Sequence, residues 1–434
     1  MTPRPIESFM SRYCSSPVGS SALLMALLVV MFWMPLPEGS KPVWASALLV
    51  VLMLLLGMAW AIGHVFGKLS LTLAFKKAWP LHLGFILVCF WLWIQTIPLP
   101  ESLLNSLSPN AHALWQQVPL PKWTLSLDPK ATELSLWLSV AYYVQFCLIL
   151  LSVDSPSRIR SLLGVLVISG TFQALFGSLS TLSGLEVLLF SEKEAYFGVA
   201  TGTFVNRNSF AGYLEMTLAL GVGLLVSRLG EGRAYGDWRT RLQGFLSTMM
   251  SSKVLLRSAL AIMVIGLVIS RSRMGNTAFF SSLLITGLLY LVLRRQMSRG
   301  MVFLLVSMLL VDLAIVSQWF GIEQVVERIE QTSLAKESRP DVSAVSLDII
   351  KDYFLTGTGG GSFYTALPNY HNGSWQGFYD LAHNDFLQFP LELGMPVFLV
   401  LVVMVLLSFW QATMAIKYRR RRLMAGLGFS IFQS

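Results

Sequence analysis

Long apolar runs separated by short polar breaks dominate the chain, and the runs are of membrane-crossing length. A spanning helix needs about 20 mainly apolar residues, and such runs fall near 19–36, 43–63, 79–98, 134–152, 161–184, 208–228, 255–270, 277–293, 301–317 and 393–413. The pattern predicts an all-α polytopic membrane protein with a transmembrane bundle over 1–317, a large loop over 318–392, and a last clear span with a basic tail over 393–434. A membrane β-barrel would show ten-residue alternation instead. Pro35, Pro37, Pro98 and Pro100 punctuate span ends. No small-x-small cleavage site follows the run from Ser20, which therefore reads as a retained first helix and not a removed signal.

The polar breaks are unequal. The segment 98–133 contains "VPLPKWTLSLDPKATE", whose prolines and tryptophan suit a loop at the membrane interface. The next, 185–207, runs into "GTFVNRNSFAGYLEM", and a third is the tight turn "SRSRMGN". The fourth, 318–392, has roughly 75 residues and predicted helices of its own, a length that is usually functional. It begins with the charge-rich "EQVVERIEQTSLAKESRPD", continues through "SAVSLDIIKDYF" and the irregular "TGTGGGSFYTALPNYHNGSW", and resumes helix at "HNDFLQFPLELG". "GTGGG" (357–361) lacks the Lys-Ser/Thr of a phosphate loop and reads better as a tight turn.

Composition agrees with a membrane location: 54% of residues are hydrophobic and 13% charged, with a mean hydropathy of +0.63. With the N-terminus inside and strict alternation of spans, roughly two thirds of the 32 Lys and Arg fall on the inner side. The net charge of +9 then describes inner loops such as "KYRRRR" (Lys417 to Arg422), which suit anionic lipid better than nucleic acid. Cys14, Cys89 and Cys147 lie in the tail or in spans and suggest no disulfide or metal framework. No metal-binding or serine-nucleophile signature is present.

Candidate chemistry gathers at the outer ends of spans. His383, flanked by Asn384 and Asp385, is the histidine best placed for acid/base work, although a histidine at a helix start also serves as a simple cap. Arg207, beside Asn208, and Arg273 sit where a guanidinium either snorkels to headgroups or pairs with an anion. Together they would suit a diphosphate and a nearby hydroxyl. Glu215 and Asp312 are acidic residues within spans, each near an outer end.

The stretches "TGTFVNRNSFAGYLEM" (201–216), "SRSRMGN" (270–276), "RPDVSAVSLDIIKDYFLTGTGGGSF" (339–363) and "AHNDFLQFPLELG" (382–394) resemble the O-antigen ligase and polymerase family of bacterial membrane glycosyltransferases. The resemblance implies a GT-C-like fold of about 10–12 transmembrane helices in the inner membrane, N-terminus cytoplasmic, with the large loop periplasmic. It implies transfer of a glycan from undecaprenyl diphosphate to a hydroxyl of lipid A-core or of a growing polysaccharide, with no cofactor or metal and no nucleic-acid partner. By motif, Arg207 and Arg273 would hold the diphosphate and His383 would act on the acceptor hydroxyl, with Asn208, Asn384, Arg339 and Glu215 in support. Amides of 357–361 are offered as further phosphate or sugar ligands, and Tyr364, Tyr370, Trp375 and Tyr379 as sugar-stacking rings or interface anchors. Family members commonly continue with one or two more helices beyond the basic loop, where this chain reaches "AGLGFSIFQS". The competing reading is a polysaccharide or lipid-glycan transporter or flippase, which predicts inverted repeats and polar groups at the membrane midplane.

Overall fold

The computed structural model describes residues 18–228, 252–294, 339–370, 379–418, 426–428 and 430–431. The span expected at 301–317 with its Asp312, the start of the large loop, His371, Trp375 and the basic run 419–422 lie outside the described residues. In chain order the helices are α1 (Val18–Trp33), α2 (Val43–Val65), α3 (Leu73–Lys77), α4 (Trp79–Thr96), α5 (Glu101–Leu107), α6 (Pro109–Gln116), α7 (Pro129–Ser152), α8 (Pro156–Leu182), α9 (Arg207–Arg228), α10 (Ser252–Ile269), α11 (Arg273–Arg294), α12 (Arg339–Asp352), α13 (Phe363–Ala366), α14 (Asp385–Leu393) and α15 (Met395–Tyr418). Among the described residues the only β pairing is one isolated bridge, Val187 with Glu192, so the fold is all-α. Among the described residues six helices, α2, α4, α7, α8, α9 and α15, are long and apolar enough to cross a membrane, and α1 and α10 contain shorter apolar helices.

Helix starts follow local chemistry. Proline occupies the first helical turn of α4, α6 and α8, where its missing N–H costs nothing. Ser155 caps α8 by accepting from the Arg158 amide, and Asp128 caps α7 by accepting from the Ala131 amide at 3.1 Å.

The chain divides into two compact units, one holding the described parts of Met1–Thr72, Leu148–Phe320 and Leu407–Ser434, the other those of Leu73–Cys147 and Gly321–Leu406. The first unit is built on α8, α9 and α10, with Phe210, Leu214, Leu218, Met263 and Leu267 fully buried. Lipid tails are as apolar as these side chains, so close packing holds such helices more than exclusion of water.

In the second unit the 98–133 segment and the large loop form one core. Leu104, Ala111 and Trp115 of the 98–133 segment pack with Val342, Ile349, Tyr353, Phe363 and Leu391 of the large loop. Each large apolar side chain taken out of water this way contributes about 1.5–3 kcal/mol. The 98–133 segment therefore supplies part of the platform on which the motif around His383 stands.

Candidate functional site

The candidate residues fall into two groups, Arg207, Asn208, Glu215 and Arg273 in the first unit, and Arg339, His383 and Asn384 in the second. In the first unit α9 opens on Arg207. Asn206 sets that start, its side chain accepting from the Asn208 amide at 2.7 Å and its carbonyl from the Phe210 amide. Helix α11 opens on Arg273, and its cap is Ser272, whose Oγ accepts from the Gly275 amide. The same Ser272 hydroxyl donates to Asn208 Oδ1 at 2.8 Å, joining the first turns of the two helices. Gly275 makes the approach possible, because a Cβ there would come within 2.6 Å of the Ala211 Cβ.

Two helix N-termini, each beginning with an arginine, are thus held side by side. Unsatisfied amides and the helix dipole make each such end positive, and the guanidinium groups add to it. Arg207 is half-buried, with its guanidinium carbon 5.6 Å from the centre of the Tyr196 ring. Its Nε is buried without a hydrogen-bond partner among the described residues. Arg273 is exposed. Arg271 between them adopts a left-handed conformation, φ 50°. Glu215 lies two turns into α9, half-buried, on the same helix as Arg207.

In the second unit His383 is exposed and left-handed, φ 53°. Asn384 caps α14, accepting from the Phe386 amide at 3.0 Å, so its carbonyl oxygen is committed to the helix. Histidine tolerates φ above zero better than most side chains, but the conformation is uncommon, and it places the ring just outside the cap. Arg339 opens α12, and its side chain lies outside the described residues.

The glycine-rich segment 357–361 is the turn the sequence suggests, but its amides are not open to the phosphate or sugar offered to them. Every amide in it is taken: Gly357 donates to Tyr353 O, Thr358 to Leu391 O, Gly359 to Glu392 O, Gly360 to Gln95 Oε1 and Gly361 to Glu392 Oε2. No amide remains for phosphate or sugar, so this segment is a structural joint. Gly357 has φ +65°, and a Cβ there would lie 2.5 Å from the Gly394 nitrogen, so a side chain would wedge the joint open.

Sequence reasoning missed the residues behind that joint. Gln95 is wholly buried and donates to Thr356 O and Glu392 O. Glu392, 7% exposed, takes the Gly361 amide on one oxygen and Gln388 Nε2 on the other. Burial pushes its carboxyl above the ordinary range, while these bonds and one from the Phe363 amide pull the other way. Asp128 is also buried in part, which would raise its pKa, but bonds from Tyr364, the Ala131 and Lys130 amides and Thr365 together hold it below the usual range. The Tyr364 and Tyr370 hydroxyls are spent on Asp128 and Asp352, so only their rings are left for other contacts. A Ser just ahead of a helix could have flagged Ser272; nothing in the sequence flags Tyr196, Gln95 or Glu392.

Among the described residues no group of three or more His, Cys, Asp or Glu is placed to hold a metal ion. Residues 258–402 match the family model described as O-antigen ligase, a stretch that includes Arg273, the glycine-rich turn and His383 and begins after Arg207. No curated protein matches the chain. Over residues 258–402 the chain is thus similar to the O-antigen ligase family, and among the described residues its six long apolar helices make it an all-α multi-pass membrane protein.

Proposed function

We propose that the chain transfers a glycan from undecaprenyl diphosphate to an acceptor hydroxyl, on lipid A-core or on a growing polysaccharide, at the periplasmic face of the bacterial inner membrane. The N-terminus is cytoplasmic in this reading, and the 318–392 loop periplasmic. The observation that carries it is the pair of arginine-led helix ends, α9 and α11, joined by the Ser272–Asn208 hydrogen bond. Two cations on two helix N-termini suit a ligand with two adjacent phosphates.

The acceptor oxygen attacks the anomeric carbon as the bond from that carbon to the phosphate oxygen breaks. The bonding pair leaves with the diphosphate, where Arg207 and Arg273 neutralise the developing charge. Charge neutralisation by two guanidinium groups makes the reaction metal-independent in this reading. His383 takes the hydroxyl proton as the new bond forms. Asn208 holds the two helix ends in register, and Asn384 fixes the turn that presents His383.

The test is the lipid-linked and surface glycan profile of a strain lacking the protein, complemented with wild type, Arg207→Ala, Arg273→Ala or His383→Ala. Long polymer accumulating on undecaprenyl diphosphate and missing from lipid A-core identifies a ligase. Single repeats without a ladder identify a polymerase. An unchanged profile in the deletion strain, or full complementation by all three variants, sinks the proposal.

A further inference from the structure

The loop ahead of α9 contains an ion pair that the transfer reaction does not use. Lys193 has a side chain only 3% exposed, it is paired with Glu186, and it also donates to Val199 O at 2.9 Å. The second oxygen of Glu186 accepts from the Gly198 amide at 2.8 Å. Val187 and Glu192 form a β bridge between them, so the 186–199 segment is closed on itself like a buckle. Its far end is tied down as well: the Ala200 amide donates to Ile269 O, two residues before Arg271, and Thr203 is held by Gln173 through both its amide and its hydroxyl. Burying a lysine is costly unless partner and hydrogen bonds are both in place. An exposed connection has no need of such a construction.

What the buckle carries is Tyr196, whose backbone is left-handed, φ 59°. A bulky residue stays in that region only when its surroundings over-determine it. Its ring lies against the Arg207 guanidinium, at 5.6 Å from ring centre to the central carbon. A guanidinium held over a ring face has fewer orientations open to it than one surrounded by water.

From this geometry we infer that Tyr196 is a positioning residue for Arg207, and that the Glu186–Lys193 pair is the clasp that holds Tyr196 there; the inference rests on the reading of Arg207 as a phosphate ligand. Tyr196 does not touch the reacting atoms. It restricts the orientation in which Arg207 offers its donors to the diphosphate, so its loss weakens the grip on the bound donor and on the charge that develops as the diphosphate leaves. The phenolic hydroxyl is not needed for this, but the π face is.

The experiment measures binding of undecaprenyl diphosphate, without glycan, to the full chain in lipid nanodiscs, alongside KM for the lipid-linked donor and kcat. Arg207→Ala should weaken binding about a hundredfold. Tyr196→Phe should bind within about twofold of wild type, whereas Tyr196→Leu, which keeps apolar cover but lacks a π face, should lose between about 2- and 30-fold. kcat/KM should fall by at least the same factor, because the same guanidinium meets the charge of the leaving diphosphate. In the Arg207→Ala background, Tyr196→Leu should cost nothing further. Glu186→Gln keeps an acceptor for the Gly198 amide but removes the ion pair, and should reproduce the Tyr196→Leu loss. Equal binding by Tyr196→Leu and wild type, or an undiminished loss in the Arg207→Ala background, overturns the inference while leaving the diphosphate reading in place. Wild-type binding by Arg207→Ala overturns both, and is told apart because the effect is then missing at Arg207 itself.

Discussion

The glycine-rich turn of the second unit and the arginine-led helix ends of the first both gather polar groups beside apolar helices, but their hydrogen-bond accounts differ. At 357–361 all five amides have protein partners, and the buried Gln95 and Glu392 complete the network. At α9 and α11 the bonds hold the backbone in place, while Arg207 keeps a buried Nε without a partner among the described residues. A saturated network specifies structure; an unsaturated one, held rigidly, has capacity for a ligand. Glycine content alone would have ranked the two regions in the opposite order.

The sharpest way to test that contrast is to truncate each region and ask which property fails. Arg207→Ala or Arg273→Ala should reduce transfer by about 10²–10³-fold, the scale of losing one preorganised charge partner, with thermal midpoint unchanged. A variant that unfolds instead would move the arginines to the structural side of the comparison.

Glu392→Ala should behave the other way. It strands the Gly361 amide and the Gln388 side-chain amide in a buried site, a loss of about 3 kcal/mol in stability. Glu392→Gln, which keeps an acceptor, should cost less than about 1 kcal/mol. The carboxyl's raised pKa gives a second reading of the same region. A carboxyl whose folded pKa lies above its unfolded value favours the fold most below the unfolded pKa, and that contribution is lost as pH rises through the folded pKa. Thermal midpoints of wild type measured upward from acid pH should therefore carry a falling component across that window, and Glu392→Gln should lack it.

The smallest effect on stability is expected at His383. Glycine accepts φ near +53° without steric penalty, so His383→Gly should raise stability by about 1 kcal/mol while transfer is lost. Thermal midpoint and glycan transfer measured on one preparation would show it. Stability that falls would mean the imidazole supports the fold.

Much of the helical layout was legible because a 20-residue apolar run is a local signal. Among the described residues, six helices are long and apolar enough to cross a membrane, in keeping with the all-α polytopic class that the runs announce. The second unit's core was not legible, since Leu104 and Trp115 meet Ile349 and Tyr353 from far along the chain and no local periodicity records that pairing. Arg207, Arg273 and His383 stood out as polar residues at the ends of apolar runs. Tyr196 and Glu392 did not, because their roles are set by what folds against them.

The bond from Gln95 to the Glu392 carbonyl also sets a schedule for biogenesis. It joins residues 297 apart in sequence. At about 5–20 residues per second, synthesis of the later partner follows the earlier one by ~15–60 s. During that interval Gln95 has left the ribosome and its receiving carbonyls do not yet exist. The early half of the second unit must wait at the membrane half-built, which makes this interval the one in which a membrane insertase or an envelope chaperone has most to protect.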